Sequence, residues 1–335
     1  MTRPTLIHIH IPKTAGTTLN LLLGDALGGH REFLCATPQD ARRLAAEPQN
    51  ERDKIDFILG HYEYGLHKYF TRPVLYMSCM REPRRRVLSF YRFILSQEDH
   101  PLHDAVQRNS RDFSSFLALA SEDAGVRDSV DNVQVRMLGG DMGVHDEYEN
   151  ALGKALANIT APNFLVGEMD DLSSLLARLA GTIDLSFGSV PRLNASDGGP
   201  SFAEEMQRLG GDAQSILEHL VRWDTILYAV AKDTAGSSLT RTAPPRRSTT
   251  GRADSVVATP SGNREVVVGE VVQALYRVLL LREPDPTGFE SYTNEIGNGL
   301  TIENAMRRIL RSREFAQKHA EFMRTHLPAG MVSAR

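Results

Sequence analysis

Eleven consecutive residues, His10-Ile-Pro-Lys-Thr-Ala-Gly-Thr-Thr-Leu-Asn20, place a lysine, three threonines and a glycine where an apolar run gives way to a leucine-rich one. Such a turn opening a helix suits a phosphate-like dianion. The N–H groups of the first helical turn and the positive dipole end point at the ligand, Gly16 lets the backbone approach, and Lys13 adds a charge. The G-x-x-x-x-G-K-[ST] nucleotide loop is absent, because here the lysine precedes the glycine by three positions. A second stretch, Arg81-Glu-Pro-Arg-Arg-Arg86-Val-Leu-Ser89-Phe-Tyr91, offers guanidinium groups and a hydroxyl. On a helix Arg86 and Ser89, three apart, share a face, and Arg81 with Ser89 can converge on a second anion. Between the two stretches His61 follows Phe57-Ile-Leu-Gly60. An imidazole near its free pKa can take the proton of an attacking hydroxyl. The plainer reading is a histidine that hydrogen-bonds backbone at a strand end, and Glu63 is a competing base.

These residues need a frame. Apolar runs predict strands at about 5–11, 55–60, 74–80 and 163–167, alternating with helical stretches. That order describes an α/β fold, a P-loop-like parallel sheet with helices on both faces. Pro83 suits the first turn of a helix. Asp170 or Asp171 would cap a helix from Leu172 to Leu179, and residues 201–230 read as two helices. His8 and His10 alternate with isoleucines on one strand face and read as structural. Two anion sites at the carboxyl ends of two strands describe a nucleotide with phosphates at both ends of its ribose.

The pair P-K-T-A-G-T-T and R-E-P-x-x-R-x-x-S-x-Y resembles the motifs of sulfotransferases that use 3′-phosphoadenylyl sulfate (PAPS), in particular the carbohydrate-modifying branch typified by heparan sulfate 2-O-sulfotransferases. The resemblance spans roughly Thr5 to Ser196. It implies that Lys13, Thr14, Ala15, Gly16, Thr17 and Thr18 hold the 5′-phosphosulfate and that Arg81 and Ser89 hold the 3′-phosphate. It also implies that His61 is the general base and that Lys13 stabilises the leaving oxygen, with no metal required. Asn132 and Arg136 would lie near the acceptor, a carbohydrate or glycoconjugate. The late loop Pro191–Ser196, with Asn194, would close over the nucleotide. The competing readings are a P-loop-type nucleotide or small-molecule kinase, and a non-catalytic nucleotide- or glycan-binding protein.

Composition narrows the classes. A formal net charge of −4 over 335 residues argues against general nucleic-acid binding, which needs a basic face. Two cysteines, Cys35 and Cys79, are too few for a disulfide framework. No apolar segment reaches the length of a membrane span, and no signal-peptide core precedes the first strand. The expectation is a cytoplasmic, bacterial enzyme. From 232 to 263 Gly, Ser, Thr, Pro and Arg dominate, which reads as a flexible linker. It would join a sulfotransferase domain, 1–231, to a helical accessory domain, 264–335, that folds separately and could dock a partner. In that last unit the phrase L-Y-R-V-L-L-L-R-E-P-D-P-T-G-F resembles a small bacterial domain of unknown function. Asp285-Pro-Thr-Gly288 reads as a turn.

Overall fold

The computed structural model describes residues 3–188 apart from 29, 144 and 146, residues 199–239, and residues 268–317 apart from 270, 274, 278, 281, 301, 311 and 316. Five strands, β1 (Thr5–Ile9), β2 (Glu32–Leu34), β3 (Phe57–Gly60), β4 (Val74–Met80) and β5 (Phe164–Glu168), form one sheet in the order β2-β3-β1-β4-β5. Every pairing is parallel. The chain crosses by way of α1 (Gly16–Ala26), α2 (Pro38–Ala46) and α3 (Gln49–Arg52). After β4 come α4 (Pro83–Ser96), α5 (His103–Asn109), α6 (Phe113–Glu122), α7 (Ala124–Asp128), α8 (Val133–Gly139) and α9 (Tyr148–Ile159). After β5 follow α10 (Leu172–Ile183), α11 (Phe202–Arg208), α12 (Gly211–Leu239), α13 (Pro286–Gly297) and α14 (Ile302–Leu310). The α/β parallel-sheet reading therefore holds. Strand β2 had no sequence signal: it is three residues long at a sheet edge, with only Phe33 partly buried, so no alternation can develop.

Alternation along the strands sorts the core into two layers. Leu75, Met77 and Cys79 of β4 join Leu6 and Phe57 against the leucines of α1 and α10. Tyr76 and Met80 face the other way, with Ile7, Ile9 and Ile58, toward α8, α9 and α12. A third cluster binds α4, α5 and α6 to α11 and α12 through Val87, Tyr91, Phe116 and Leu217. Asp171 caps α10 by accepting from Ser174 N–H at 3.2 Å.

Beyond residue 231 the geometry differs from the linker reading. Helix α12 continues through Lys232 to Leu239, because losing aromatic residues does not itself end a helix. Residues 240–267, the rest of that stretch, lie outside the described residues. Val271, Val272, Leu275, Leu279, Met306 and Ile309 are buried in the same cluster as Leu152, Leu156 and Ile159 of α9, and α14 packs directly on α9. The C-terminal helices thus complete the core on that side of the sheet. Asp285 is a helix cap, accepting from Gly288 N–H at 2.9 Å, rather than a plain turn residue.

Candidate functional site

Connections leave β1 toward β2 and leave β4 toward β5, in opposite directions, so the sheet has a switch point between β1 and β4. The carboxyl ends of the strands at such a point are the usual ligand position in open α/β sheets. Both motif turns follow those ends.

The first turn is backbone-driven. Lys13 and Ala15 take left-handed conformations, φ 71° and 66°, which cost a non-glycine residue roughly 1–2 kcal/mol each. Ala15 supplies no side-chain cap to α1, and the helical ladder starts only with Leu19 N–H donating to Ala15 O at 3.0 Å. The N–H groups of Gly16, Thr17 and Thr18 precede that ladder, an anion-binding arrangement. Thr14 is buried and its hydroxyl donates to Ile11 O at 2.8 Å, holding the turn closed. Thr17 is exposed, while Thr18 is buried. Lys13 Nζ rests 4.0 Å above the Phe93 ring of α4.

The second turn is driven by side chains. Arg81 is half-buried and reaches back to the first turn, Nη1 donating to Lys13 O at 3.2 Å. Its Nε is buried with no hydrogen-bond partner, and burial draws its pKa below the ordinary guanidinium value. Gln134 of α8 clamps the Arg81 backbone from both sides, accepting from its N–H at 3.1 Å and donating to its carbonyl at 3.0 Å. Asp224 of α12 in turn accepts from the N–H groups of Gln134 and Val135, at 3.2 and 2.8 Å. Neither Gln134 nor Asp224 carries a sequence signal, because each works from a different element of the fold. Ser89 stands half-buried on α4, whereas Arg86 turns fully into the core, its Nη2 donating to Val130 O.

His61 is exposed just past β3. Its Nδ1 lies 2.7 Å from His10 O. A carbonyl only accepts, so Nδ1 carries the proton and Nε2 keeps its lone pair. Glu63 is occupied otherwise, with Oε2 accepting from Met142 N–H at 2.6 Å. Gly60, at φ 143°, admits the chain beside β2, where any Cβ would strike Cys35 O. Asn132 and Arg136 prove to be core residues. Asn132 Oδ1 accepts from Trp223 N–H and Asp224 N–H, and Arg136 binds the carbonyls of Asp128, Asp131 and Met142. Asn194 lies outside the described residues.

A family model for a domain of unknown function (DUF4214) matches residues 257–319, the stretch carrying the Leu275–Phe289 phrase. No curated protein matches the chain. Among the described residues no helix is long and apolar enough to cross a membrane.

Proposed function

We propose that this chain is a sulfotransferase that moves the sulfuryl group of PAPS to a hydroxyl of a carbohydrate or glycoconjugate. The observation that carries the reading is the convergence at the switch point: N–H groups ahead of the α1 ladder, and a buried Arg81 Nε with no partner, lie on two turns joined by the Arg81–Lys13 contact. Donors of this kind, fixed before any ligand arrives, suit a nucleotide with an anionic group at each end.

Each residue then has a task. The first turn, with Lys13, Thr14, Ala15, Gly16, Thr17 and Thr18, would hold the 5′-phosphosulfate, and Lys13 would balance charge on the leaving oxygen. Arg81 and Ser89 would hold the 3′-phosphate. His61 Nε2 would take the acceptor proton as the hydroxyl oxygen bonds to sulfur. Its position beyond the strand ends and the tautomer set by His10 O support that role. The Glu63 contact with Met142 N–H makes Glu63 the weaker base.

Calorimetry with 3′-phosphoadenosine 5′-phosphate, AMP and ATP tests the nucleotide, and transfer of labelled sulfate from PAPS to glycan fractions tests the reaction. The bisphosphate should bind far more tightly than AMP or ATP. Tighter, magnesium-dependent ATP binding would replace this reading with a kinase.

A further inference from the structure

Three imidazoles run from the core to the surface beside the first turn. His8 and His10 share the β1 face that α1 covers, and His61 follows β3. His8 is buried, with Nδ1 at 2.9 Å from Asn20 Oδ1 of α1. The His8 and His10 rings lie nearly parallel, 9° apart with centroids at 5.7 Å. His10 and His61 lie closer, with centroids at 4.2 Å.

Gly16 shows how tightly the middle ring is held. A Cβ there would sit 1.6 Å from His10 Nε2. Gly16 is not among the positive-φ glycines, so its requirement is space for this ring rather than an unusual backbone. Sequence reading assigns Gly16 to ligand approach and His10 to the scaffold; the structure makes the glycine a slot for the histidine.

We propose that His10 is a positioning residue for His61: its carbonyl selects the tautomer, and its ring, wedged against Gly16, sets the plane of the His61 imidazole. The inference rests on the reading of His61 as the base. Charge agrees with the geometry. Burial, followed by the neighbouring His61, His8 and Lys13, holds His10 down at about 3, and burial holds His8 at about 4. At neutral pH the stack beneath His61 is therefore uncharged and packs as aromatic surface.

The test uses the full chain labelled with 15N-histidine, and two-bond 1H–15N spectra that read each tautomer without substrate. Wild-type His61 should carry its proton on Nδ1. His10→Ala keeps the carbonyl but removes the ring that holds the His61 imidazole in line with it, so His61 should populate both tautomers and kcat should fall with little change in KM. His10→Phe, which keeps the same carbonyl and adds back a flat ring, should restore the wild-type tautomer. Gly16→Ala should act like His10→Ala by displacing the ring. A wild-type His61 protonated at Nε2, or one whose tautomer ignores His10→Ala, overturns the proposal; the wild-type spectrum decides even if a variant fails to fold. Because the spectra need no turnover, the expected tautomer in a protein that transfers no sulfuryl group would sink the sulfotransferase reading and keep the positioning.

Discussion

The turns after β1 and β4 both start helices at the same end of the sheet, yet they solve the helix N-terminus in opposite ways. After β4, Pro83 occupies the first helical position, and the Glu82 carboxylate accepts from Arg84 N–H at 3.2 Å and Arg85 N–H at 2.8 Å. That helix satisfies its own donors. After β1 the capping position holds Ala15, which has no side-chain acceptor and sits in a left-handed conformation. No side chain at that position caps those donors, which leaves them for the anion proposed above. A self-capped helix start has little left to offer an anion through its backbone, so in the proposed function the second turn would bind through side chains, Arg81 and Ser89, and the first through N–H groups.

The largest expected effect falls between the two turns, at His61. His61→Ala should lower turnover by about 10²–10⁴, with nucleotide affinity nearly unchanged, since a general base acts in the transition state. Glu63→Gln should be milder, since its amide oxygen can still accept from Met142 N–H. Steady-state kinetics of both variants check the assignment, and the reverse ranking would move the base to Glu63.

Next comes Arg81. A charge-assisted hydrogen bond contributes roughly 1.5–3 kcal/mol, so Arg81→Ala should weaken 3′-phosphoadenosine 5′-phosphate about tenfold or more. Arg84→Ala should leave that affinity nearly unchanged, because Arg84 is engaged with Glu218 at 2.7 Å. Equal losses in calorimetry would mean that the second site is a diffuse basic surface rather than a specific side-chain site.

How far this contrast can be read in sequence depends on the range of the interactions. Pro83 and the lysine–glycine order are local, and they forecast both helix starts. The alternating apolar runs likewise forecast four of the five strands. The trans-acting parts were silent: Gln134 reaches Arg81, and Asp224 reaches Gln134, across long stretches of chain, and Gly16 lacks a Cβ to make room for His10. Asn132 and Arg136, polar and well spaced for a substrate contact, are instead used inside the fold. Composition also misjudged the end of α12. A loss of aromatic residues says nothing of the apolar face of α9, which the C-terminal helices cover.

The histidines beside the first turn add a pH dependence opposite in sign to that of Asp224 behind the second. Folded His8 and His10 titrate at about 4 and about 3, below the ordinary 6.5, so between pH 6.5 and 4 the unfolded chain holds two protons that the folded one excludes. Stability should fall as pH drops through that window. Asp224 opposes it: burial, its largest influence, raises it from 3.8 to about 6, so the folded chain holds one proton there that unfolding releases. For these three groups, two taken up against one released leave a net uptake of about one proton near pH 5, and His67 and His100, lowered by burial, add to it. Urea titrations across pH 4.5–7 should show this slope, and His8→Asn should flatten it. An unchanged slope in that variant would show that His8 is not held neutral by the fold.

The smallest effects sharpen the contrast most, because one kind of change has opposite signs at the two helix starts. Removing the cap with Glu82→Ala should cost about 1 kcal/mol, the ordinary price of losing a side-chain cap, with nucleotide affinity little altered. Ala15→Gly removes no cap. It relieves a left-handed alanine, a gain of roughly 1–2 kcal/mol, against roughly 0.5–1 kcal/mol of added chain entropy in the unfolded state. A net stabilisation of up to about 1.5 kcal/mol should follow, visible in the urea midpoint, and nucleotide affinity should hold because the N–H groups of Gly16, Thr17 and Thr18 remain. Should Ala15→Gly instead destabilise the protein as Glu82→Ala does, the first turn is not held left-handed at Ala15 in solution. The contrast between a helix start that waits for an anion and one that caps itself would then fail.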